Sequence, residues 1–237
     1  MSRIAQAYIH TSYAPAAGRL ESWGRQTEDL SHKIARRVFP SDTEIVVSFE
    51  PGSLKARATI LMGSVLAVYG AIATYPDFKS GLSEAIRDAR EFAGPLNDQL
   101  IDALEIPKES VVRRERRTET PGRLKRAIDR LESLEGRISE TPQTQIEREL
   151  RLIARQLRAG LSDLDDNERQ LAIGLIEAEH QPRLPQPIAP RLAIRPREFE
   201  LNLDKHLMLR PRRRLHYRGY VRTDEPLTEE KRLASPE

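Results

Sequence analysis

The longest uncharged stretch of the chain, ATILMGSVLAVYGAIATY at 58–75, is compatible with two different structures. If Ser53 is a helix N-cap, a single helix covers 54–75 and is about 33 Å long, which matches a hydrocarbon core of roughly 30 Å. Alternatively, the residues that follow the predicted strand EIVVSFE at 44–50 and its Pro51-Gly52 turn return as the second strand of a β-hairpin. The hairpin is supported by the alternation of apolar Leu54, Ala56, Ala58 and Ile60 with polar Lys55, Arg57 and Thr59.

The spacing of small residues favours the single helix. They recur at every fourth position, as Thr59, Gly63, Ala67 and Ala71. Such a strip lets helix backbones approach closely in lipid, and Tyr75 lies at the helix end, where an interfacial aromatic side chain is expected. A helix that is apolar on all sides needs lipid or several covering helices, and this chain supplies few. The sequence therefore favours a membrane span, packed through Gly63, Ala67, Ala71 and Tyr75, over a buried helix of a soluble protein.

Amphipathic helices are predicted on both sides of the apolar stretch. Apolar residues recur at helical spacing over 14–38 and again over 78–104, where Gly94-Pro95 interrupts the pattern. We therefore predict that 1–106 is a helical region that contains one short strand and the apolar helix 54–75.

The second half of the chain begins with a polar, strongly basic stretch at 107–119, which predicts a linker. Over 120–180, apolar residues recur at spacings of three and four, and Thr-Pro pairs mark two helix starts. This pattern predicts a helical hairpin or small bundle in which Leu150, Ile153, Leu157 and Leu161 pack against Leu124, Ile128 and Leu131. Residues 181–237 predict a Pro-rich and basic extended tail. The predicted fold class is mainly α, with amphipathic helices around one apolar helix.

The N-terminal half also shows a characteristic order of segments. A short strand, PGSLK at 51–55, the apolar helix and YPDFKSGLSEAIRDAREF at 75–92 follow one another. Over about residues 43–95, this order resembles small uncharacterised bacterial proteins that carry one membrane helix. The resemblance implies a single membrane helix and implies no activity.

Composition argues against most enzyme chemistry. The chain of 237 residues has no cysteine, which excludes disulfides, thiolate zinc sites and a cysteine nucleophile. Its five histidines lie in separate segments without metal-ligand spacing, and the nearest pair, Glu177 and His180, is typical of a solvated helix face. Neither a phosphate-binding glycine loop nor a G-x-S-x-G motif is present. We therefore expect a non-enzymatic protein without a cofactor or a metal site.

Two arginine-rich runs are the best candidates for binding a polyanion. The first consists of Arg113, Arg114, Arg116 and Arg117. The second consists of Arg210, Arg212, Arg213, Arg214, Arg218 and Arg222, interleaved with His216, Tyr217 and Tyr220. Interleaved arginine and tyrosine are typical of flexible RNA-binding segments, and either run is suited to nucleic acid or to anionic lipid.

These features lead to two functional hypotheses. The first is a non-enzymatic scaffold of the bacterial inner membrane, whose cytosolic hairpin docks a protein partner or self-associates. The second is a soluble, cytoplasmic, basic α-helical protein that binds nucleic acid or assists ribonucleoprotein assembly. The sequence favours the first, because the apolar stretch is its sharpest feature. Export is not expected, because the N-terminus lacks the apolar core of a secretory signal.

Overall fold

The computed structural model of the protein describes residues 1–13, 15, 18–39, 43–50, 54–69 and 73–184. Its strands are β1 (Ser2–Thr11), β2 (Glu44–Glu50), β3 (Lys55–Met62) and β4 (Val111–Arg117). The N-terminal helices are α1 (Arg19–Val38), α2 (Val65–Val68) and α3 (Tyr75–Ala103). The C-terminal helices are α4 (Glu119–Glu135), α5 (Gln143–Leu161) and α6 (Asp166–His180). Short 3-10 turns occupy Lys108–Ser110, Ile138–Glu140 and Gln181–Arg183.

The four described strands form one antiparallel sheet in the order β2-β3-β1-β4. Each of the segments β1-α1-β2 and β3-α3-β4 is a split βαβ unit, since a strand of the other unit lies between its two strands. This is the ferredoxin-like chain order. Helices α1 and α3 cover one side of the sheet, which we call the apolar face, and bury Ile34, Phe78 and Phe92 against it.

The prediction of a mainly α fold around an apolar helix over 54–75 was wrong. The first part of this stretch is β3, whose inward residues Ala56, Ala58 and Ile60 are buried at 3%, 1% and 0% exposure and pair with Phe49, Val47 and Ile45 of β2. The hairpin alternative is therefore the one that the structure adopts. A strand is favoured over a helix here because the two-residue alternation places the apolar side chains on one buried face, while Lys55 and Arg57 remain half-exposed.

The rest of the apolar stretch is divided by two helix starts. The four residues of α2 follow β3, and α3 begins at Tyr75 behind a capping box, in which the Thr74 hydroxyl accepts from the Asp77 backbone N–H and the Asp77 carboxylate accepts from the Thr74 N–H. In the described part of the chain, no helix combines the length and the apolar character that a membrane crossing requires.

The predicted membrane-packing residues consequently share no helix surface. Gly63 is exposed directly after β3, Ala67 belongs to α2, and Tyr75 is the first residue of α3. Ala71 lies outside the described residues. The regular spacing of these small residues therefore does not correspond to a packing strip.

The basic segment that suggested a linker contains strand β4, which pairs with β1 at the edge of the sheet. Charged side chains are common on edge strands, where they discourage pairing with other chains. The Asn97 side-chain amide of α3 donates to the Glu115 backbone carbonyl at 3.0 Å and ties the strand to the helix layer.

Helices α4 and α5 form an antiparallel pair, and α6 lies against α2 and α3. Helices α4 and α5 approach closely at Gly160, where a Cβ atom would lie 2.6 Å from Leu124 Cδ2. Leu150, Ile153 and Leu157 are completely buried, Leu161 is 2% exposed, and the same core contains Leu124, Ile128 and Leu131. Glu168 of α6 accepts from the Ser64 hydroxyl and from the Leu66 backbone N–H, both at 2.6 Å.

Candidate nucleic-acid interface

The side of the sheet opposite α1 and α3 carries polar and charged side chains. Residues paired across neighbouring strands point to the same side, so the registers β1–β3 and β1–β4 define the set. Tyr8 is paired with Arg57 and Glu115, and Gln6 and His10, two positions away, are paired with Thr59, Arg117, Lys55 and Arg113. Glu50 of β2 joins them because it is paired with Lys55. We call this set the polar face: Gln6, Tyr8, His10, Glu50, Lys55, Arg57, Thr59, Arg113, Glu115 and Arg117.

Tyr8 lies at the centre of the polar face between two guanidinium groups. The guanidinium carbon of Arg117 is 4.5 Å from the centroid of the Tyr8 ring, and that of Arg57 is 5.5 Å away. Both distances are within the range of a cation–π interaction, which stabilises a partly exposed pair by about 0.5–1 kcal/mol. Tyr8 retains only 7% exposure, whereas the side chains of Arg57 and Arg117 beside it are 26% and 39% exposed, so the arginines are more accessible than the ring.

Two carboxylates hold these arginines in place. Glu50 accepts from Arg57 and, at 3.4 Å, from Lys55, while Glu115 forms ion pairs with Arg113 and Arg117. The hydrogen bond from Arg57 lowers the pKa of Glu50, and the hydrogen bond from Arg117 lowers the pKa of Glu115, in each case against the opposing effect of burial. Both carboxylates are therefore ionised at neutral pH, and the guanidinium planes are fixed before any ligand arrives.

Gln6 completes the anchoring of Arg117. Its side-chain carbonyl accepts from Arg117 Nη1 at 2.8 Å, and its amide nitrogen donates to the Thr59 hydroxyl at 2.9 Å. This hydrogen-bonded row crosses β4, β1 and β3 beside the Tyr8 ring. The orientation of Arg117 is thus determined by an aromatic ring, a carboxylate and an amide together.

The polar face is positively charged overall. It carries four cationic side chains against the two carboxylates, so its net charge is +2 with His10 neutral. The side chain of Arg113 is 68% exposed and that of Arg117 is 39% exposed, so both remain accessible despite their ion pairs. The arrangement is suited to an anionic ligand that also offers flat groups for stacking on guanidinium planes.

The two predicted arginine runs have different outcomes. In the first run, Arg113 and Arg117 belong to the polar face, whereas Arg114 points to the other side and pairs with Asp98 of α3 at 2.8 Å. Arg116 also lies on that side, beside Gly94 of α3. The second run and its aromatic residues lie outside the described residues: Arg210, Arg212, Arg213, Arg214, Arg218, Arg222, His216, Tyr217 and Tyr220.

Sequence reasoning missed strand β1 and with it Tyr8. The signal was the alternation in SRIAQAYIHT, where Ala5, Ala7 and Ile9 face the helices and Gln6, Tyr8 and His10 lie between them. The predicted hairpin residues Leu150, Ile153, Leu157 and Leu161 are buried within the chain, so their side chains are not available to an external partner in this conformation.

A second cluster of titratable side chains joins α3, α4 and α6. His180 is fully buried, with Nδ1 2.8 Å from Glu135 Oε1 and Nε2 2.8 Å from the Tyr75 hydroxyl. Because both ring nitrogens are occupied by these partners, His180 has no nitrogen left for a metal ion. No group of three or more potential metal-binding side chains occurs within the described ranges. We interpret this cluster as structural.

The lowered pKa values on the polar face predict a loss of stability in acid. A carboxyl group whose pKa is lowered by folding stabilises the protein above its unfolded-state pKa of about 4.3, and the contribution disappears as the pH falls through the folded-state value. Urea unfolding at a series of pH values should therefore show a decline below about pH 4.3 that is shallower in Glu115→Gln. Glu109→Gln, at an exposed position before β4, is the control. Equal flattening by both substitutions would contradict the prediction.

Comparisons with protein families, with curated proteins and with solved structures gave no match to this chain.

Proposed function

We propose that the protein is a non-enzymatic nucleic-acid-binding protein whose polar face binds single-stranded RNA or DNA. The observation that carries this proposal is the position of Tyr8 between Arg57 and Arg117, at the centre of a net positive sheet surface. Nucleic acid combines the two properties that this surface suits, a charged backbone and flat bases.

Stacking accounts for the central part of the proposed interface. Bases of single strands stack on aromatic rings and on arginine guanidinium planes, and each stacked base contributes about 1–3 kcal/mol. On the polar face, the planes of Arg57 and Arg117 are already fixed by carboxylates and by Tyr8, so binding costs little additional side-chain entropy. A duplex keeps its bases stacked internally, and for that reason we propose a single strand as the ligand.

Phosphate contacts account for the edge of the interface. Arg113 is the most exposed cation of the polar face and lies on the edge strand β4, where an extended backbone would leave the sheet. Arginine matches phosphate geometry by bidentate hydrogen bonding. Four-stranded sheets of this chain order do bind RNA through side chains on their central strands, but that similarity is one of fold and supports the proposal only as an analogy.

The other functional hypothesis would need a surface that remains open for a protein partner. The apolar residues of the hairpin that suggested self-association are covered inside the chain, whereas the polar face presents charged side chains to solvent. This contrast is our reason for proposing nucleic acid as the ligand.

The first test compares two double variants on the same strand. Arg113→Gln with Arg117→Gln removes two charges from the polar face, and Arg114→Gln with Arg116→Gln removes two charges from its other side. We expect the first variant to bind a fluorescent single strand at least about tenfold more weakly. Its logarithmic salt slope should fall by about 0.7, since of the two arginines only Arg113 contacts phosphate and each lost phosphate contact contributes roughly 0.7 for single strands. The second variant should change affinity by less than about threefold.

Equal losses in the two variants would overturn the proposal, because only the total charge would then matter. A duplex of the same sequence and anionic phosphatidylserine vesicles serve as additional probes. Preferential binding to the duplex, or binding to vesicles without binding to either RNA or DNA strands, would also overturn it. Unchanged thermal unfolding of both variants is required as a check that the sheet remains intact.

A further inference from the structure

A second basic surface lies on the C-terminal helices, in a groove between α4 and α5. The groove has a volume of about 330 Å³ and is lined by Arg123, Arg126, Arg130, Gln156 and Ala159. The three arginines follow one another at spacings of three and four residues, so their side chains leave α4 on the same side. We call these five residues the arginine groove.

The charges of the arginine groove are incompletely neutralised. Arg123 is paired with Glu119 at 2.8 Å and with Asp163 at 3.1 Å. Arg130 donates to the neutral side-chain carbonyl of Gln156 at 3.1 Å, and it forms no ion pair within the described part of the chain. Arg126 has neither a hydrogen-bond partner nor an ion-pair partner among the described side chains.

This charge pattern contrasts with that of the polar face, where Arg57, Arg113 and Arg117 each have a carboxylate partner. Like charges four residues apart on a helix destabilise it. Arg126 and Arg130 form such a pair, and an anion bound between them would remove the repulsion. Gln156 adds an amide donor, and the small side chain of Ala159 leaves room beside it.

The groove begins near the end of the polar face. A Cβ atom on Gly122 would lie 3.2 Å from Arg126 Nη1 and 1.9 Å from the Thr118 hydroxyl oxygen, so the guanidinium group of Arg126 is close to Thr118. Thr118 directly follows Arg117, the last residue of β4 and a member of the polar face. An extended strand that leaves the sheet at Arg117 is therefore near the first unpaired arginine of the groove.

We propose that the arginine groove binds backbone phosphate of the same strand that the polar face binds. This inference rests on the proposed function and extends it, because it assigns the α4–α5 pair a role in binding longer strands. Arg126 and Arg130 clamp a phosphate from one wall, and Gln156 donates its amide from the other. The groove reads no bases, so its contribution is independent of nucleotide sequence.

The test uses the full chain and two lengths of labelled single-stranded homopolymer, of about four and about sixteen nucleotides. These lengths span the site sizes typical of single-strand-binding domains such as OB folds. The variant is Arg126→Gln with Arg130→Gln, and its matched control is Arg36→Gln with Arg37→Gln, two exposed arginines in the last turn of α1. For the long strand we expect the variant to lose about tenfold in affinity and about 1.4 in the salt slope. The short strand should bind with nearly unchanged affinity.

A second variant tests the groove without changing charge. Ala159→Leu narrows the groove at an exposed position, so it should weaken the long strand selectively while leaving the net charge and the fold unchanged. If Arg126→Gln with Arg130→Gln behaves like the α1 control, or weakens both lengths equally, the groove is not a phosphate site. That outcome is distinct from failure of the proposed function, in which the parent protein binds neither length.

Discussion

Leu157→Asp is expected to disrupt the α4–α5 pair and to lower the free energy of unfolding by more than about 4 kcal/mol. Leu157 is completely buried in the core that α4 and α5 share. Truncating a buried leucine to alanine already costs about 2–5 kcal/mol, and a carboxylate at this position additionally loses its hydration without gaining a cationic partner. The measurement is urea unfolding followed by far-ultraviolet circular dichroism, with the helical signal as the readout.

Leu152→Asp is the matched control, since it introduces the same charge on the same helix. Leu152 is 45% exposed, so its replacement should change the free energy of unfolding by less than about 1 kcal/mol. If the two variants unfold at the same urea concentration, Leu157 is not part of a packed interface. Both variants are measured in the full chain.

The error over 54–75 has a specific physical origin. Ile60, Leu61 and Met62 at the end of β3 are followed by the apolar residues of α2, and a buried strand next to a buried helix gives the same uncharged run as one long helix. The alternation from Leu54 to Ile60 contained the correct signal for the strand. The prediction gave more weight to the absence of charge. An uncharged segment is expected to be buried, but its lack of charge does not distinguish a strand or helix inside the protein from a helix in lipid.

The polar face was harder to foresee, because its members come from distant parts of the chain. Tyr8 meets Arg57 and Arg117 only after β1 has paired with β3 and β4. Such pairings are non-local, and a single sequence does not specify which strands become neighbours. The apolar spacing in α5, by contrast, is local: positions three and four residues apart lie on one helix face whatever the rest of the chain does.

The expectation that His180 lies with Glu177 on a solvated helix face was wrong, because His180 is completely buried. The pairing with Glu177 that raised the question of a metal site involves a neighbour on α6, whereas the actual partners of His180 are Glu135 of α4 and Tyr75 of α3. Those partners lie 45 and 105 positions away in the sequence, which is why no local motif indicates them.

The hydrogen-bond network around His180 extends through the Tyr75 hydroxyl to Glu132 and Lys79. Lys79 donates to both oxygens of Glu132 at 2.7 Å, and the Tyr75 hydroxyl donates to Glu132 at 2.9 Å. Burial raises the pKa of Glu132, but these hydrogen bonds outweigh it, and the net pKa is lowered. His180 Nε2 lies 2.8 Å from the Tyr75 hydroxyl and Nδ1 lies 2.8 Å from Glu135, so both ring nitrogens have a buried hydrogen-bond partner.

His180→Phe is therefore expected to lower the free energy of unfolding by about 2–4 kcal/mol, because it removes two buried hydrogen bonds and leaving a buried polar group unsatisfied costs about 1–3 kcal/mol. Phenylalanine keeps a ring that can contact Tyr75 edge-on, as the imidazole does at 5.0 Å between centroids, so the loss reports mainly on the two hydrogen bonds. Tyr75→Phe, which keeps the His180–Glu135 pair, should cost only about 1–2 kcal/mol. Urea unfolding at neutral pH distinguishes the two variants, and a His180→Phe protein as stable as the parent would show that the two hydrogen bonds of the imidazole contribute little.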